Sequence, residues 1–280
     1  MALNDEIRDE FRRVKKKGRI AILKWYWEYF KIHTLVAVFA VIFVVSTVRS
    51  IMNQKPDYVN AIFLNAGGYT LDYNQILTEE LEAYLKDRGV TAYSEKRKTE
   101  LPATTENFDY TFDFAAALTP GGARDQLEMA TSQKVGALVA SQELDVMAAD
   151  ASNAMILSYQ EMCADLRNVF DEKRLAELDA QNRIFYMDYD VIRKWEAKED
   201  QMAPIIEIPQ EELIEGEKRE NYVLPDKNGM TDPIPVGILL NDSAFFTEYE
   251  LYTTNAVIGV VGASTKRPEA AVNLLEFLIR

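Results

Sequence analysis

An α/β domain carried behind one membrane-spanning helix is what the 280-residue sequence predicts, and three observations predict it. An apolar run long enough to cross a bilayer lies near the amino end, basic residues crowd one side of it, and strand-like and helix-like patterns alternate on the other. Composition agrees: 48% apolar and 27% charged residues belong to a chain that folds, with length for one large domain or two modest ones.

The net charge of −14 conceals a division. Residues 1–56 hold eleven basic side chains against five acidic ones, a net +6, so the remaining residues carry −20. A domain that acidic repels phosphate backbones, which argues against nucleic acid as a partner. Cys163 is the single cysteine, so an intramolecular disulfide framework and a cysteine-rich zinc site are both excluded, and a small buried side chain is its expected role.

Residues 32–52 read IHTLVAVFAVIFVVSTVRSIM, and Leu35 to Val45 contain no polar side chain. At ~1.5 Å per residue this stretch covers about 31 Å, the thickness of a hydrocarbon core. Arg49 stands near one end, where it can snorkel, and Trp25, Tyr26, Trp27, Tyr29 and Phe30 form an aromatic belt at the other. Upstream, Arg12, Arg13, Lys15, Lys16, Lys17 and Arg19 obey the positive-inside rule. A cleaved signal peptide fits less well, because about thirty residues precede the run and Val48-Arg49-Ser50 is a poor cleavage site. The expected organisation is a basic cytoplasmic segment at 1–31, a transmembrane helix at 32–52, a linker at 53–57 and an extracytoplasmic α/β domain at 58–280. The chain is thus expected in the cell membrane, single-pass, with the lipid bilayer as its first partner. Ile7, Phe11, Val14, Ile20 and Ile22 among the charges predict an amphipathic helix over residues 2–31 on the cytoplasmic surface.

After the linker, Tyr58 to Leu64 is apolar enough for a buried strand, closed by the turn Asn65-Ala66-Gly67-Gly68. A helix follows from Tyr73 to Arg88, with Asp72 and Gln75 spaced as a capping box, Gly89 as its stop, and Ile76, Leu77, Leu81, Tyr84 and Leu85 on one face. A second helix is predicted from Gly122 to Ser141, burying Leu127, Ala130, Val135, Leu138 and Val139, and then a strand from Leu144 to Ala148. Further strands are predicted at Ile184–Met187, Ile234–Leu240 and Ala256–Val261, and helices at Ala154–Cys163, Glu172–Leu178 and Pro268–Leu278. Pro235 moves its strand toward a sheet edge. Trp195 to Pro233 reads as an acidic surface loop or insertion, and in it Asp226-Lys227-Asn228-Gly229 reads as a tight turn, since the acidic pattern of a calcium loop is missing.

Two stretches carry a family resemblance. Gln133-Lys134-Val135-Gly136-Ala137-Leu138-Val139-Ala140-Ser141-Gln142-Glu143-Leu144-Asp145-Val146-Met147, with Ala164-Asp165-Leu166 after a helix, resembles extracellular solute-binding proteins of the type 2 periplasmic-binding class. Thr265 to Leu278 is similar to the C-terminal helix of that family. The resemblance implies a helix, a strand ending at a ligand cleft, and a later Asp-Leu step. It departs from the usual members in keeping a transmembrane helix and in being shorter.

Open α/β sheets bind ligands at the carboxyl ends of their strands, which nominates Asn65, Asp150, Ser152, Asn241 and Asp242 as ligand-binding residues. All five equally suit turns and helix caps. The one histidine, His33, lies at the membrane boundary, so Ser-His-Asp and Cys-His arrangements are excluded from the outer domain, as are histidine-rich metal sites. Gly67-Gly68 and Gly121-Gly122 lack the context of a phosphate loop. No catalytic residue, metal or cofactor is expected, and the chain is not expected to be an enzyme. A carboxylate-dependent hydrolase would need two acids facing across a groove, which the sequence does not place. The leading expectation is non-catalytic binding of a small molecule or an envelope partner by a solute-binding-like outer domain. The alternative is a structural or interaction module of a membrane protein complex without a small-molecule ligand.

Overall fold

The computed structural model describes residues 11–67, 72–120, 123, 125–196, 218–220 and 222–280, in two units, Met1–Lys55 and Pro56–Arg280. Outside the described residues lie Gly68, Gly121 and Gly122, the amino end of the expected surface helix, and most of the acidic insertion.

In the first unit, helix α1 (Arg19–Asn53) runs 35 residues. Within it Phe30–Ser50 is long and apolar enough to cross a membrane, and none of that stretch is buried by the protein. Phe39 and Phe43 are 64% and 71% exposed, an arrangement that suits lipid better than water. The amphipathic helix expected through residue 31 is not a separate element. Residues 11–15 are helical, Gly18 breaks the path at φ +99°, and α1 then continues unbroken into the apolar stretch. Glycine takes that left-handed backbone at no steric cost.

The described residues of the second unit form, in order, β1 (Asp57–Phe63), α2 (Tyr73–Asp87), β2 (Thr91–Ser94), β3 (Thr99–Pro102), β4 (Asp109–Asp113), α3 (Gln126–Ala140), β5 (Val146–Asp150), α4 (Ala151–Tyr159), α5 (Glu172–Ala180), β6 (Ile184–Asp188), α6 (Tyr189–Glu196), β7 (Pro233–Leu239), α7 (Ala244–Glu248), β8 (Val257–Val261) and α8 (Pro268–Leu278). Short 3-10 turns stand at Leu166–Asn168 and Lys227–Gly229. The main sheet has the order β4-β1-β5-β8-β7-β6, and β2 and β3 form a separate antiparallel ribbon. β1 pairs parallel with β4 and β5, whereas β5/β8, β8/β7 and β7/β6 are antiparallel, so the α/β sheet is mixed.

Side chains alternate across the strands and build a core on each face. Ala61 and Phe63 of β1, Ala148 of β5 and Val257 of β8 meet Leu77, Leu81 and Leu85 of α2 and Leu274, Leu275 and Leu278 of α8. On the other face Ile62, Met147, Ala149, Ile258 and Val260 meet Val135 of α3 and Ala154 and Leu157 of α4. The backbone approach is closest at Gly262, where an added Cβ would stand 2.2 Å from the Leu144 carbonyl oxygen. Gly262→Ala is therefore expected to cost about 1–3 kcal/mol, read as a lowered midpoint in chemical denaturation, because a main-chain oxygen cannot rotate away.

The α2 signals act as expected: Asp72 accepts a hydrogen bond from the Gln75 amide, and Gly89 takes φ +64° at the stop. Gln75 does not complete the box but donates to Glu79 at 2.7 Å. Helix α3 begins later than expected and buries Thr131 and Val135, leaving Leu127 55% exposed and Ala130 exposed as well. The expected helix at Ala154–Cys163 begins at Ala151, where Asp150 caps it, and Cys163 instead forms an isolated bridge with Gly262. The strand expected at Leu144–Ala148 runs on to Asp150, fully buried. Pro235 does not put β7 at an edge, since β7 lies between β8 and β6. Pairing with β8 begins only at Gly237, and the register slips beside Pro235, so the missing amide costs no ladder bond to β8.

Candidate functional site

β1, β5 and β7 run in one direction, so their carboxyl ends share one edge of the sheet. Asn65, just beyond β1, sits at φ +57°, a left-handed backbone that its short amide tolerates. Its Nδ2 donates to the Leu118 carbonyl at 2.8 Å and to Asp150 Oδ2 at 3.0 Å, and its Oδ1 accepts from the Leu118 amide at 2.9 Å. Asp150 is buried at the junction of β5 and α4, where Oδ1 caps the Asn153 amide at 2.9 Å and Oδ2 accepts from Asn153 Nδ2 at 2.8 Å. Asn153 Nδ2 also reaches the Leu118 carbonyl at 2.8 Å. Ser152 is buried in the first turn of α4. The result is a polar knot tying the segment after β4 to two strand ends.

Asn241 and Asp242 lie beyond β7 and make no hydrogen bond to that knot among the described residues. Asn241 Oδ1 accepts from the Val257 amide at 2.9 Å, and its carbonyl accepts from Arg219, which also donates to the Tyr252 carbonyl at 3.3 Å. Asp242, with its side chain 77% exposed, pairs with Arg183 at 3.3 Å. Sequence reasoning missed Asn153, Tyr252 and Arg219. Asn153 was findable as the third residue after a capping Asp, whereas Arg219 sits in a stretch without periodicity. Burial, and then the nearby Asp150, hold the Tyr252 hydroxyl well above its ordinary range, so it remains a neutral donor to the Ala148 carbonyl at 3.3 Å.

At the opposite edge the fully buried Asp145 accepts from the Asn60 amide at 2.7 Å, from the Thr265 hydroxyl, and from Arg267 Nε at 2.9 Å. Arg267 also donates to the Glu143 carbonyl at 2.9 Å and lies 3.9 Å from Asp57. Burial pushes the Asp145 carboxyl up, and Thr265, Arg267 and the Asn60 amide oppose it. The cluster joins the starts of β1, β5 and α8, a structural fastening rather than a reactive group.

Two open grooves flank α8. One, of about 760 Å³, is lined by Arg88, Phe170, Lys173, Arg174, Asn273 and Glu276, with Arg174 held by Glu276 at 2.6 Å. The other, of about 630 Å³, is lined by Glu80, Tyr84, Phe245, Glu248, Phe277 and Arg280. None of the five residues nominated from sequence lines either one. Among the described residues no three His, Cys, Asp or Glu side chains gather as a metal site. At 226–229 Asp226 caps the 3-10 turn, and Lys227 pairs with Asp179. Cys163 is half-buried as a residue, but its thiol is shielded and burial pushes it up to about 12. Alkylation of the folded chain at pH 8 is therefore expected to run on the order of a thousand-fold slower than that of the urea-unfolded chain, since the thiolate is the reactive form.

Among known proteins, no family model, no curated protein and no solved structure matches the chain.

Proposed function

We propose that the chain is a single-pass interaction module whose basic segment lies in the cytoplasm and whose outer unit binds a protein of the same membrane or envelope rather than a small molecule. Charge supports the orientation, with +6 on residues 1–56 and −20 beyond. One observation carries the choice of partner. Asn65, Asp150 and Asn153, the groups a small ligand would need at the carboxyl edge, are already engaged with one another and with Leu118.

Two features support reading the fold as a solute-binding-like lobe. The order α3, β5, α4 leads to Asp165-Leu166, where Asp165 caps a 3-10 turn and Leu166 enters the core, and α8 covers the stretch similar to the family's last helix. A cleft between lobes requires two walls, and the described residues build one main sheet. Small-molecule capture keeps one observation in its favour, the groove beside Phe170, whose volume of about 760 Å³ is that of a ligand pocket.

Two measurements on the full chain in membranes separate these readings. A photocrosslinker at the exposed Asp242 is expected to trap one discrete partner, while one at the exposed Glu100, on β3, is not. Thermal denaturation against amino acids, sugars and short peptides is expected to shift by less than about 1 °C, because a ligand in excess of its Kd stabilises by mass action. A clear ligand-dependent shift with no crosslink at Asp242 would overturn the proposal.

A further inference from the structure

We propose that the corner at Gly18 folds residues 11–17 back along α1 to form a binding site for the anionic headgroups of the membrane that α1 crosses. The inference rests on reading Phe30–Ser50 as a span with its amino end in the cytoplasm. What the sequence alone did not reveal is the fold-back. After Gly18 at φ +99°, the short helix at 11–15 returns so that the Phe11 ring lies 5.1 Å from Trp25, which in turn lies 5.8 Å from Phe30. Trp25 is only 9% exposed.

This clasp sets depth. Trp25 precedes Phe30 by five residues, which at ~1.5 Å each is about 7.5 Å along the helix. A bilayer of roughly 40–45 Å around a core of about 30 Å has headgroup layers of about that thickness. With Phe11 at the level of Trp25, Arg12 and Arg13 stand at phosphate depth. Continued as a straight helix, the same residues would trail about 27 Å from the core. Arg13, Lys15, Lys16, Lys17, Arg19 and Lys24 are exposed and make no ion pair among the described residues.

Such a run could also face nucleic acid, but its surroundings favour lipid. Ile20, Leu23 and Trp27 are 79%, 74% and 57% exposed, and their spacing of three and four residues puts them on one side of α1, away from Trp25. An apolar stripe beside cations fits the boundary between headgroups and acyl chains. Each phosphate-facing cation adds to the attraction for an anionic surface.

The test uses the full chain with Trp195→Phe, in vesicles of equal phosphatidylglycerol and phosphatidylcholine in which one lipid at a time carries brominated acyl chains. Quenching of Trp25 and Trp27 should report a preference for phosphatidylglycerol of about five-fold or more, collapsing toward one at high salt. The preference should fall several-fold in Lys15→Gln/Lys16→Gln/Lys17→Gln. It should also fall in Phe11→Ala, which keeps every charge but opens the clasp. Equal quenching by both lipids, or a preference unchanged in Phe11→Ala, overturns the proposal while leaving the span intact. No quenching by either lipid overturns the span and the proposal together. Loss of the preference on adding a single-stranded RNA oligomer reassigns the cations to nucleic acid and also overturns it.

Discussion

Asp145→Ala is expected to cost the second unit about 3 kcal/mol, the low end of the range for stripping one partner from a buried ion pair. Asp145 is fully buried and gathers the Asn60 amide, the Thr265 hydroxyl and Arg267 at once. Its removal strands three donors, one of them charged. Arg267 is 23% exposed, so its charge recovers part of its hydration, which keeps the expectation below the upper range. Chemical denaturation of the full chain in detergent, followed by near-ultraviolet circular dichroism, reads the loss directly. Adding Arg267→Ala should cost little more, since the two side chains act as one unit. A loss under about 1 kcal/mol, or full additivity of the two changes, would show that the fastening does not hold β1, β5 and α8 together.

The second large effect concerns α1. Ala40→Asp with Val41→Asp puts two carboxylates at the middle of Phe30–Ser50, each costing about 2.5–3.5 kcal/mol at the centre of a membrane helix. The doubly substituted chain is expected to leave the membrane fraction on alkaline carbonate extraction, where the parent chain stays. Retention of both to the same degree would mean that something other than this helix holds the protein.

The sequence was most legible where one local signal sufficed. Asp72 and Gly89 delimit α2 because capping and left-handed backbone are decided within a turn, and Pro268 opens α8 as predicted because proline at a helix start needs no amide partner. It was least legible where a neighbour distant in sequence decides. β4 carries two aspartates and is not among the predicted strands, yet pairing with β1 makes it a sheet edge. The antiparallel half of the sheet depends on β8 entering between β5 and β7, which no local pattern announces. Leu127 belongs to the apolar stripe of α3 by spacing, yet it stands 55% exposed.

The nominated site divides the same way. Placing Asn65 and Asp150 at one edge followed from strand direction alone, and they do meet at 3.0 Å. That they are occupied with each other could not follow, because the third member is the Leu118 backbone, whose arrival depends on the path after β4.

The orientation of the chain across the membrane is tested most directly by a membrane-impermeant maleimide on intact cells, with Cys163→Ala as background. Cysteine in place of Lys98, on the ribbon of β2 and β3, is predicted to be labelled at once, and cysteine in place of Lys16 only after lysis. Labelling of Lys16→Cys in intact cells, with Lys98→Cys protected until lysis, would contradict it.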